Sequence, residues 1–177
     1  ALGGDVQLIS GKGTVDSGGA MNILGGEGMQ VGGIVSIQGG AGSTGGSVST
    51  IGGVSSGTEG GAVVIRSGSS DTGASGTITI SSGVSSSDAT GGLYLGSASS
   101  KKASSGAIMM TTGDGTTHSG QIGLRTGDSL TGIAGGIDIS VGSSAVSGSD
   151  LVFRAGNGPV GGSVSIDSGP IGGSTNV

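Results

Sequence analysis

The sequence predicts an all-β chain: a parallel β-solenoid (β-helix) of about twelve coils of 14–15 residues, with uncapped ends. Three observations lead there. A phrase Gly-Gly-x-φ-x-φ, with φ aliphatic, recurs as GGDVQL from Gly3, GGAMNI from Gly18, GGIVSI from Gly32 and GGSVSI from Gly161. Its first apolar position falls at residues 6, 21, 35, 48, 63, 78, 93, 108, 122, 137, 151 and 164, a period that marks a repeat array. Within each phrase the apolar residues stand two apart and many are β-branched, the pattern of a strand with one covered face.

Taken in chain order, the positions expected to build the core are Val6 and Leu8, Met21 and Ile23, Val35 and Ile37, and Val48. Val63 and Ile65, Ile78 and Ile80, Leu93 and Leu95, and Ile108 and Met110 continue the series. Ile122 and Leu124, Ile137 and Ile139, Leu151 and Phe153, and Val164 and Ile166 complete it. The remainder of each unit is rich in Gly and Ser and carries one more apolar or small residue, as at Val15, Met29, Ala41, Val54, Val84, Leu130, Val146, Val160 and Ile171. These are expected to point inward from a second, weaker strand or turn. Glycine pairs at the corners suit bends that need positive φ or close backbone approach. A coil of about 29 residues, holding two phrases and giving about six coils, is the alternative arrangement.

The residue between the two φ positions is expected to face outward. Most are polar, but Val64, Tyr94, Met109 and Val152 are not. They are either single exposed apolar residues or part of a face that packs on another chain. No unit could fold alone, so stability is expected to reside in the stack.

Composition narrows the classes. Gly accounts for 46 of 177 residues, and Ser and Thr for 33 and 15 more. A linker of that make-up would be disordered, yet mean hydropathy is +0.24 and the aliphatics keep their phase. Tyr94 and Phe153 are the only aromatics, which points to a core too narrow for rings. Net charge is −5 and Lys plus Arg total six, with no basic stripe, so nucleic acid is not an expected partner. No run is apolar and long enough for a membrane-spanning helix, and there is no cysteine for a disulfide or thiolate site.

Catalytic patterns arise here by chance from glycine and serine. Gly40–Gly45 and Gly156–Gly161 match G-x-G-x-x-G, but neither is expected to open a helix, so no phosphate cradle forms. Gly53–Gly57 matches G-x-S-x-G without the strand-turn-helix that exposes such a nucleophile, and His118, the single histidine, lies in a polar turn. The acids Asp114, Asp128 and Asp150 share no phase, unlike a calcium-binding glycine-rich repeat. No catalytic, cofactor or metal-ligating residue is expected, and the chain is read as a non-enzyme. No Asn-x-Ser/Thr sequon occurs, while Ser/Thr-rich turns such as Ser85–Ser87 offer hydroxyls for O-linked sugar.

The phrase, as in Gly161-Gly162-Ser163-Val164-Ser165-Ile166, resembles the glycine/serine-rich β-solenoid repeats of microbial extracellular surface and filament proteins. That resemblance spans nearly the whole chain and implies an elongated structural role at the cell surface or outside the cell. The array begins and ends in mid-phrase, with Gly172–Thr175 reading as the start of a thirteenth unit. The expected function is therefore a building block of a fibre, a single continuous array over residues 1–177 whose partners are copies of itself, joined end to end or laterally. The alternative is the stalk of an adhesin or an ice-binding solenoid. The hydroxyl pairs that ice binding wants flank the apolar residue at Ser47/Ser49, Thr77/Thr79 and Ser163/Ser165, whereas Asp5/Gln7 and Ala107/Met109 break the face.

Overall fold

The computed structural model of the chain describes residues 3–169. Among them there is neither helix nor strand, which overturns the β-solenoid in both its forms, about twelve coils of one phrase and about six of two. The expected unit at Gly172–Thr175 and the inward position at Ile171 lie outside the described residues. The chain divides into two units, Ala1–Leu93 and Tyr94–Val177.

The physical reason for the correction lies in where the backbone hydrogen bonds go. A solenoid needs each phrase to bond the phrase one coil away along its length. Here the backbone pairs locally instead, at the bases of short loops between phrases. In the first unit the Gly19 N–H donates to the Gly11 carbonyl at 2.8 Å, and Gly33 to Gly26, Gly46 to Gly40 and Gly61 to Gly53 at the same distance. Gly76 donates to Gly68 at 2.9 Å. In the second unit Gly162 donates to Gly156 at 3.0 Å. One bond closes each of these six loops, and a ladder does not follow it; the other five bends have no such bond among the described residues.

The sequence period survives as a period of loops. The chain bends sharply at residues 14–16, 29–31, 42–44, 56–58, 71–73 and 86–88 of the first unit. In the second unit it bends at 101–103, 116–117, 130–132, 145–146 and 158–160. A loop of seven to nine residues with neighbouring ends, between two phrases, is an Ω-type solution.

No hydrophobic side chain is buried among the described residues. The accessible surface is 17669 Å². A compact protein of 16.1 kDa would expose about 7,400 Å², and the same chain fully extended about 23,000 Å². The molecule stands nearer the second figure.

Candidate functional site

With no core to frame a pocket, the features that carry chemistry are the ones that recur once per unit. Three positions recur: the loop base, the loop tip and the phrase.

The base is set two residues beyond the second φ, a position on the same face as both φ residues. It holds Ser10, Gly25, Gly39, Gly52, Ser67, Ser82, Ser97, Thr112, Thr126, Val141 and Ala155, and it is never large. Ser10, Gly39, Gly52 and Ala155 are among the few partly covered residues of the chain. A methyl group placed on Gly25, Gly39 or Gly52 would overlap the carbonyl oxygen of Gly33, Gly46 or Gly61 across the base. None of these three has a φ between +20° and +160°, so they are glycine because of close backbone approach and not because of a left-handed turn.

Side chains at this position set how near the two strands of the base come. Opposite Gly25, Gly39 and Gly52, a methyl on the partner glycine would lie 2.8–2.9 Å from the nearest backbone nitrogen. Opposite Ser67 and Ala155 that distance is 3.3–3.4 Å, and the hydrogen bond persists. Opposite Thr112 the γ-methyl itself is the near atom, 3.2 Å from a methyl on Gly120, and Gly120 does not donate across the base.

The loop tip begins two residues past the base carbonyl and is built in one of two ways. Gly13, Gly28, Gly42, Gly115 and Gly158 occupy the position in five loops, and serine occupies it in the other six. Methyl groups on Gly13, Gly28 and Gly115 would overlap the carbonyl oxygens of Ser17, Val31 and His118, a tight turn that only glycine fits. Every serine at the position accepts a backbone N–H through Oγ: Ser55 from Gly57 at 3.1 Å and Ser70 from Gly73 at 2.9 Å. Ser85 accepts from Asp88, Ser100 from Ala103, Ser129 from Gly132 and Ser144 from Val146. These are side-chain turns that stand in for a backbone turn.

The residues expected to point inward from a second strand lie in these loops. Val15, Met29, Val54, Val84, Leu130, Val146 and Val160 are 91–107% exposed, and Ala41 is exposed as well. The weaker strand is absent, because neither the loops closed by one bond at the base nor those without a bond continue into a ladder.

In some phrases the alternation of faces persists without a sheet. From Met21 onward the first φ residue of each unit is 46–57% exposed, and the second, where aliphatic or aromatic, 53–73%. Val6, in the first phrase, is more open still at 88%, while Leu8 falls within the range of the second φ residues. On the opposite face Ile34, Tyr94 and Met109 are 81–92% exposed, whereas Val64 and Val152, at 67% and 53%, are no more open than the φ residues, so the alternation holds in some phrases and not in others. The structure thus brings Val35 with Ile37, Ile78 with Ile80 and their counterparts to one side of each phrase, uncovered.

The matches to catalytic patterns dissolve into this scheme. Gly40–Gly45 and Gly156–Gly161 are closed loops with no helix after them, and Gly53–Gly57 contains the turn serine Ser55. His118 is an exposed loop residue whose carbonyl approaches Gly115. Among the described residues no cluster of acids or histidine could hold a metal ion, and no helix is long and apolar enough to cross a membrane. Comparison with protein-family models, with curated proteins and with solved structures finds no match.

Sequence reasoning missed the small residue at the base and the alternation of glycine and serine at the tip. Both were available as signals. Counting two beyond each second φ lands on Gly, Ser, Thr, Ala or Val every time, and in the eleven loops up to residue 160 two beyond the base carbonyl position lands only on Gly or Ser.

Proposed function

We propose that this chain is a structural protein, the building block of an extracellular fibre or cell-surface filament, in which copies of the chain cover one another's apolar positions. The observation that carries the reading is the accessible surface of 17669 Å² with no buried side chain among the described residues. The surplus over a compact chain of this mass is on the order of 10,000 Å². A permanent pairwise interface buries about 2,000–5,000 Å² shared between two partners, so a single partner covers at most roughly a quarter of the surplus. Several neighbours are needed, which favours an extended assembly over a dimer.

Copies of the same chain suit this best because their apolar positions recur at the same 13–15 residue spacing. A partner without that period would meet one or two phrases and miss the rest. With ten per cent charged residues, like-charge repulsion between copies is weak. The joining surfaces in this reading are the open φ positions of the phrases, not the ends of closed coils.

Sedimentation and negative-stain microscopy of the purified chain over a hundredfold range of concentration test the reading. Filaments that appear with rising concentration are expected. A sedimentation coefficient that stays at the single-chain value throughout would overturn it.

A further inference from the structure

One phrase differs from the others in what surrounds it. Residues 28–58 carry no charged side chain, and the next longest charge-free run, 72–87, is about half that length. Inside this window lies Ile34-Val35-Ser36-Ile37-Gln38, with three β-branched aliphatics in four residues. Val35 and Ile37 occupy the φ face, and Ile34, 90% exposed, gives the opposite face an aliphatic of its own. Four phrases have three apolar residues in a row: Leu93–Leu95 and Ile108–Met110 have no adjacent charge but hold at most one β-branched residue, and the other two are flanked by charge. Arg66 follows Val63–Ile65, and Asp150 and Arg154 bracket Leu151–Phe153. Charges in those places act as gatekeepers against strand addition.

The backbone completes the case. As in the other phrases, the N–H and C=O groups of residues 34–38 make no hydrogen bond among the described residues. Both flanking loops are closed at the base, by Gly33 to Gly26 and by Gly46 to Gly40, each at 2.8 Å. The segment is thus an unpaired edge held between two fixed points, the arrangement that natural proteins usually blunt.

We infer that Ile34–Gln38 is the segment through which two copies of this chain first pair, each adding its strand to the identical strand of the other. The identity of the partner follows from the segment. An uncharged strand with aliphatics on both faces pairs best in register with itself, where like side chains stack and a glutamine at the same level forms a ladder, as Gln38 would. This inference rests on the fibre reading and assigns its nucleus.

The test follows assembly of the full chain by light scattering and microscopy. Ile34→Lys places a charge at an exposed position that touches no loop base, and it should slow assembly at least tenfold. Thr77→Lys, at the matching place of the 72–87 run, should change the rate less than about twofold. Gly33 and Gly46 amide exchange in the monomer, unchanged from the parent, shows that the loops are intact. Because the chain has no cysteine, Ile34→Cys reports the pairing directly. Strands about 4.8 Å apart in register allow a disulfide, so mild oxidation of the assembled variant should yield mainly linked dimers. Parent-like assembly of Ile34→Lys, or an assembled Ile34→Cys chain that stays monomeric on oxidation, overturns the inference and leaves the fibre reading standing. A parent chain that never assembles overturns both.

Discussion

The loops at 26–33 and 40–46 and those at 113–120 and 127–135 follow the same sequence period but close differently. The first pair has glycine before the base carbonyl, at Gly25 and Gly39, and a hydrogen bond of 2.8 Å across the base. The second pair has Thr112 and Thr126 there, and Gly120 and Gly135 do not donate across. At the second pair a threonine γ-methyl stands where the first pair carries none, and the loops after Ser82 and Ser97 lack the bond without such a methyl, so side-chain size at the base is one of the features that separate a pinned loop from an open one. The tips differ independently of the bases: the 113–120 loop turns on Gly115 and the 127–135 loop on Ser129. Base and tip are thus two separate devices, and the chain combines them freely.

The largest effect should come from breaking a pinned base. In Gly39→Val the new side chain overlaps the Gly46 carbonyl, a clash worth about 1–3 kcal/mol. Loss of the one base bond, about 0.5–1.5 kcal/mol, should accelerate hydrogen exchange of the Gly46 amide roughly two- to twelvefold, while Thr112→Val leaves Gly120 exchange within about twofold of the parent. If Gly46 exchange does not change in Gly39→Val, side-chain size is not what sets the closure.

The reverse substitution sharpens the same point. Thr126→Gly removes the γ-methyl that faces Gly135 and should let the 127–135 base close. One net hydrogen bond of about 0.5–1.5 kcal/mol would slow Gly135 exchange roughly two- to twelvefold. Exchange that stays at the parent rate would show that a further constraint holds that base open.

The smallest effect belongs to the tip. Ser70→Ala deletes the acceptor of the Gly73 N–H, now at 2.9 Å. An exposed side-chain bond of this kind contributes about 0.5 kcal/mol, so Gly73 exchange should rise about twofold. The Gly76 amide, bonded at the base of the same loop, should keep its rate. A parallel change at Gly76 would mean that tip and base act as one device.

Much of this was legible in the residues, and the part that was not has a definite cause. The repeat at 13–15 residues and the two-faced phrases, as in Ile34-Val35-Ser36-Ile37, could be read directly, since local spacing alone fixes them. The step from phased aliphatics to a closed coil failed because spacing does not say which backbone group bonds which. Expected inside a coil, Val54, which follows the base carbonyl of Gly53, and Val84, whose loop has no base bond, are both fully exposed. The glycine pairs suited either positive φ or close approach, and Gly25, Gly39 and Gly52 take the second.

By itself the sequence determined the period, the alternation of faces within a phrase and the small residue that each loop base requires. These are properties of bond geometry and side-chain size along a few neighbouring residues. The partners of the backbone groups were decided only in the tertiary structure. There the nearest glycine carbonyl, six to eight residues back along the chain, captures the N–H that a solenoid would have directed to the next coil. A short loop costs less ordering entropy to close than a full coil does. Local closure therefore prevails, and the aliphatic residues are left open for other copies of the chain.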